Sequence, residues 1–177
     1  DLIYTGALGN TNEALYLFDS NCRLEDEILA NPDWPAGDKS LKKPMARLDV
    51  LYWYTAAGTP DGENSPPPTI STAASASAPL PAPSSASIQL FITESYIGSP
   101  GNQQDDFVEL YNPNLEAIDL TDWYLQRKTD GTQDFSSYVP HELLAGKAIG
   151  AQDYFLIANA SSSFTTSADV VTTYPLT

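Results

Sequence analysis

The 177-residue chain carries 23 Asp and Glu against 8 Lys and Arg, with one His, for a formal charge of −15. Such a balance works against non-specific nucleic-acid binding, because phosphate contacts need clustered Lys and Arg. Apolar runs no longer than those at 88–92 and 154–158 leave nothing to insert into a bilayer as a helix. The lone Cys22 can neither close an internal disulfide nor begin a zinc site of the usual kind. A hydrophobic content of 42% suffices for at least one sizeable core in one or two domains. Three Trp, ten Tyr and six Phe in a Thr-, Ser- and Asn-rich background favour strands over helices. No leader or tag is read in the sequence, so the chain is expected to be mature or a fragment.

In chain order, an apolar run at 14–18 predicts a strand, followed by a turn at 19–22 and a second strand over 24–30. Asp19 and Asn21 tolerate the left-handed conformations a tight hairpin needs. An irregular loop over 31–38 leads to one last strand, roughly 46–55, and a turn in Gly58-Thr-Pro-Asp-Gly62. Residues 66–87 then contain no charge: six Pro, six Ala, six Ser, two Thr, Ile70 and Leu80 make up the whole stretch. Such a composition cannot build a core and favours an extended path, so it reads as a linker. It separates residues 1–65, with eleven acids and five bases, from residues 88–177, with twelve acids and three bases. After it, alternation places Ile88, Leu90 and Ile92 on one face. In the next strand, over 106–112, Phe107, Glu109 and Tyr111 lie opposite Val108 and Leu110. Further strands are predicted at 118–126, 153–158 and 169–173. The pattern is that of an antiparallel β-sandwich or barrel, but neither part has the roughly seven strands a sandwich of its own requires.

The segments Ile92–Glu94, Phe107-Val-Glu-Leu-Tyr-Asn-Pro113 and Asp119-Leu-Thr-Asp-Trp-Tyr-Leu125 resemble the opening half of a lamin tail domain. That domain is the immunoglobulin-like module of nuclear lamins, found also in bacterial and archaeal surface proteins. Leu15-Tyr-Leu-Phe-Asp19, Leu24-Glu-Asp-Glu-Ile28, Trp34, Arg47, Trp53 and Gly58-Thr-Pro60 resemble its closing half. The closing half (1–65) therefore precedes the opening half (88–177). The resemblance implies an all-β, immunoglobulin-like antiparallel β-sandwich assembled from two half-domains. Three arrangements fit: a circular permutant, a repeat cut from a tandem array, or a subunit whose halves complete those of its neighbours. The family also implies a structural role for the acid in Val-Glu-Leu-Tyr-Asn, so that Glu109 satisfies a local hydrogen bond.

No catalytic residue, cofactor or metal site is expected. His141 has no companion Ser, Cys or second His and reads as an exposed loop histidine. Cys22, beside Arg23, reads as an inert thiol. Asp105, Asp106 and Glu109, and the run Glu25-Asp-Glu27, offer calcium-type oxygens without the spacing of a calcium loop; in a strand Asp26 points away from Glu25 and Glu27. Trp34, Trp53 and Trp123 fit core packing better than a sugar platform. Lys39, Lys42, Lys43 and Arg47 form one basic cluster, expected to dock on an acidic face of a neighbouring copy that holds Asp105 and Asp106. Asn159, in Asn-Ala-Ser, is a candidate N-glycosylation site in a loop after a strand. Thr69, Ser71, Thr72, Ser75, Ser77, Ser84, Ser85 and Ser87 are candidate O-glycosylation sites of a stalk-like linker.

The resulting expectation is a non-enzymatic structural element of an extracellular or cell-surface fibre or array. Its partners would be other copies of itself, joined head to tail by sandwiches completed across chain or repeat boundaries, with attached glycans and no nucleic acid. The alternative is a non-catalytic accessory binding module of a larger secreted enzyme. A carbohydrate-binding domain would instead need exposed Trp side chains along a groove.

Overall fold

Asp19 makes the first turn. Its Oδ1 accepts the backbone N–H groups of Asn21 at 2.9 Å and Arg23 at 2.7 Å, while Cys22 takes a positive φ of 60°. The turn joins β1 (Ala14–Phe18) to β2 (Leu24–Leu29) as an antiparallel hairpin. In the computed structural model the residues described are 11–38, 40, 41, 43–48, 52–64, 89–98, 105–129, 134–174 and 176. The linker, with its candidate O-glycosylation residues, lies outside them, as do Lys39, Lys42 and Ile88.

The run expected as one strand over 46–55 is a hairpin of β3 (Met45–Arg47) and β4 (Trp53–Thr55), closed by the Leu48 N–H donating to the Tyr52 carbonyl at 2.8 Å. Folding back makes Arg47 and Trp53 cross-strand partners, with the guanidinium 4.7 Å from the ring centre. Beyond the linker come β5 (Phe91–Tyr96) and β6 (Phe107–Tyr111). The single strand expected over 118–126 is also two, β7 (Ile118–Asp119) and β8 (Tyr124–Lys128). Asp119 breaks it: its Oδ1 accepts the N–H and hydroxyl of Thr121 at 2.8 and 2.7 Å, and Asp122 turns to a φ of 67°. The chain continues through β9 (Phe135–Val139), the one-turn helix α1 (His141–Leu144), β10 (Ala148–Ile149), β11 (Tyr154–Asn159) and β12 (Val170–Thr172). β9 was not expected.

Two sheets enclose the core. One has the order β2-β1-β8-β9 and the other β12-β11-β6-β5-β3-β4, with β7 and β10 pairing separately. Pairing is antiparallel except for β11 with β12. Leu15 and Leu17 of β1, Met45 of β3, Ile92 of β5, Val108 and Leu110 of β6 and Leu125 of β8 all enter one buried cluster. The other face of β6 is covered as well: Phe107 packs with Leu156 and Ala158 under Phe164. The expected alternation therefore holds along β6, with both of its faces buried.

Strands from 14–55 sit beside strands from 91–172 in both sheets: β1 pairs with β8, and β3 with β5. The sheets that neither part has strands enough to close alone are thus completed within this chain. One interaction also crosses between the sheets. The Asp26 carboxylate on β2 receives both terminal nitrogens of Arg47 on β3, at 2.6 and 3.1 Å, and the Ile92 N–H of β5 at 2.7 Å. Burial pushes the Asp26 carboxyl up despite the pull of Arg47.

Two outcomes follow from this interleaving. Expressed alone, 88–177 leaves β8 without β1 and β5 without β3, and should aggregate or unfold without cooperativity in urea. A cooperatively folded monomeric fragment would contradict the shared core. Asp26→Ala strands a guanidinium whose side chain is 8% exposed and should lower unfolding stability by about 3 kcal/mol; a loss below about 1 kcal/mol would show that the pair contributes no more than a surface one.

Candidate functional site

The most unusual chemistry lies on the outer face of the six-stranded sheet. Glu94 of β5 stands directly across from Glu109 of β6, and both are fully buried. Like charges directly opposite each other disfavour an antiparallel pair. The segment after β4 crosses above them and supplies donors. Thr59 N–H donates to Glu94 Oε2 at 3.1 Å; Asp61 and Gly62 N–H donate to Glu109 Oε2 at 2.9 and 3.4 Å. The Thr93 hydroxyl donates to Glu109 Oε1 at 2.7 Å. Asn64 secures the segment's end by donating to the carbonyls of Arg47 and Thr93, both at 3.2 Å.

Burial is the main cause that pushes Glu94 up to about 7, with Glu109 adding to it against the hydrogen bonds from Thr59. Burial likewise pushes Glu109 up, against the donors from Thr93, Gly62 and Asp61, while the Asp61 charge adds to the rise. Burial and the neighbouring Glu109 push Tyr154 on β11 up to about 12. The site is a facing pair of carboxyls that shares a proton near neutrality, closed off by backbone.

The sequence singled out Glu109 and its role as a hydrogen-bond acceptor, and the structure supplies the partners. Glu94 was missed as its companion, because only the β5–β6 register brings the two together. Asp105 binds Ser162 and Ser163, taking their hydroxyls at 3.1 and 2.8 Å and the Ser163 N–H at 2.8 Å. Asp106 is fully buried, accepting the Gly98 N–H at 2.7 Å and the Leu176 N–H at 2.8 Å. The two therefore form no exposed acidic face. Of the basic cluster, Arg47 turns inward to Asp26 and the Lys43 backbone bridges Asp38, while Lys39 and Lys42 lie outside the described residues. Asp26 points inward, as its place between Glu25 and Glu27 required. Among the described residues, no group of three or more His, Cys, Asp and Glu could hold a metal ion.

His141 opens α1 rather than lying in a loop; its side chain is 59% exposed, with Nε2 3.2 Å from Glu142. Cys22 is exposed. Trp123 belongs to the core, and Trp34 and Trp53 pack against it half-buried. Asn159 is the last residue of β11, not a loop residue; it is 4% exposed, with Oδ1 accepting the Ser161 N–H at 2.8 Å. No helix among the described residues is long and apolar enough to cross a membrane.

The outer face of the four-stranded sheet carries an aromatic row that the sequence reading passed over. Phe18 stacks on Tyr124 with ring centres 5.1 Å apart, and Tyr16 meets Phe135 edge-on at 5.1 Å. Phe135 is 49% exposed. Alternation within β1 was the available signal, since Leu15 and Leu17 take the inner face and leave Tyr16 and Phe18 outside.

Two facing sheets around one core, short strands and almost no helix define an immunoglobulin-like β-sandwich. The family model of the Lamin Tail Domain matches residues 83–174, and the chain belongs to that family. β1 to β4 lie before the matched span. Among curated proteins and among solved structures nothing matches.

The carboxyl pair gives stability an unusual pH dependence. Between about pH 4.5 and 7 the folded pair holds a proton that the unfolded chain has released, so its contribution to stability is full near the lower value and is lost as pH rises. Urea unfolding should show a loss on the order of 2 kcal/mol from pH 5 to 7.5, levelling above. Stability that rises over this interval would contradict the assignment.

Proposed function

We propose that the chain is a non-catalytic structural module of an extracellular or cell-surface fibre or array. In this reading residues 1–65 are the closing half of a lamin tail sandwich and residues 88–177 the opening half, in reversed order as a surface-protein repeat. The observation that carries it is the interleaving: β1 lies between β2 and β8, and β5 between β3 and β6. Every contact between the halves is available between two copies by exchange of the same segment. A copy that gives its first half to one neighbour and takes that of another propagates head to tail, and the shared charge of −15 limits lateral clumping. Closure inside one chain favours the monomer through high effective concentration, so joining begins with separation of the halves.

A second reading, an accessory binding module of a larger secreted enzyme, draws on the outer-face row of half-buried Tyr16, Phe18 and Tyr124 with exposed Phe135, since aromatic side chains concentrate at contact surfaces.

Cys22 provides the test, being exposed and the sole cysteine. Two batches labelled there with donor and acceptor dyes are mixed at high concentration and cycled through urea. Energy transfer, together with species larger than dimers by light scattering, is expected. Chains that stay monomeric without transfer would overturn the array and leave the binding module.

A further inference from the structure

We infer that residues 58–64 form a pH-sensitive latch on the six-stranded sheet, whose grip depends on a proton held by Glu94 beside an ionised Glu109. The two side chains face each other from paired strands and are fully buried, so a charge on both is opposed by repulsion and by lost hydration. Their hydrogen bonds are unequal. Glu109 has donors on both oxygens: the Thr93 hydroxyl on Oε1, and the Asp61 and Gly62 amides on Oε2. Glu94 receives the Thr59 amide on Oε2, whereas its Oε1 is buried without a hydrogen-bond partner. A carboxylate with three donors tolerates its charge, and one with a bare buried oxygen does not. The proton therefore belongs on Glu94.

The described surroundings offer no counter-charge. Tyr54 faces Glu94 from β4, Tyr154 faces Glu109 from β11, and Asp61 adds its own negative charge from the latch. Asp61 in turn faces Asp153 and Asp169. The nearby cation, Arg47, lies on the opposite face of the sheet, bound to Asp26. Among the described residues no cation forms an ion pair with either glutamate. When Glu94 loses its proton, repulsion is relieved if residues 58–64 lift and admit water. Three amides and the Asn64 side chain are what must let go.

Amide exchange of the full chain by NMR, corrected for intrinsic rates, tests the latch. Opening that releases one proton strengthens about tenfold per pH unit. Protection of the Thr59, Asp61 and Gly62 amides should fall at about that rate from pH 5 to 7 and then level, while Val108 and Leu110 in β6 stay protected. In Glu94→Gln the fall should vanish. Protection independent of pH, an equal fall in Glu94→Gln, or a fall shared by β6 would each overturn the proposal. Should Glu94→Gln fail to fold, the side-chain carboxyl carbons of the unaltered chain decide. Titration of Glu94 near neutrality with Glu109 at lower pH supports the latch, and ordinary values for both overturn it.

Discussion

A single carboxylate, that of Asp26, joins the two sheets and the two parts of the chain. It projects from β2 at the edge of one sheet and binds Arg47 of β3 and the Ile92 amide of β5 in the other. Three strands far apart in sequence thereby share one set of positions. The guanidinium is held further by the Trp53 and Phe91 rings, 4.7 and 5.6 Å from its carbon. Because bidentate geometry is planar and directional, the pair fixes register as well as attraction. It also fixes which way β2 faces. With Asp26 inward, Glu27 projects outward, and an acidic outer edge discourages pairing with another sheet.

Much of the fold was legible because short apolar or alternating runs bounded by turn residues read as strands. β1, β6, β11 and β12 fall on such runs, and the β1–β2 turn is announced by Asp19 and Asn21. Illegible elements lacked such a contrast. Ser136 and Ser137 interrupt the apolar signal of β9. The break between β7 and β8 depends on the Asp119 side chain capping Thr121, inside a run that otherwise alternates well. Of the site, Glu109 was readable from the family pattern, but Glu94 was not, since strand register is a property of the assembled sheet. Arg47 was readable only as a charge; its interior destination required Asp26 to be opposite.

The buried acids together show how a chain with 23 acids and 8 bases manages charge inside. One of them, Asp26, uses a cation. Asp106 uses the backbone amides of Gly98 and Leu176, and Glu109 those of Asp61 and Gly62 with the Thr93 hydroxyl. Each carboxylate thus fastens a distant stretch of chain: the third and fifth strands, the residues just beyond β12, or the segment after β4.

Backbone amides suit this task for a physical reason. They exist at every residue except proline, need no side-chain ordering, and offer partial positive charge at a fixed angle. A loop that donates two or three of them to one carboxylate gains charge-assisted bonds without spending any of the scarce cations. The same device sets its own limit. Amides stabilise one ionised group well, but placed over two facing glutamates they serve the second less completely, as the unpartnered Oε1 of Glu94 illustrates. Fastening by acids therefore tightens the fold where carboxylates stand alone and makes it responsive to protons where two of them meet.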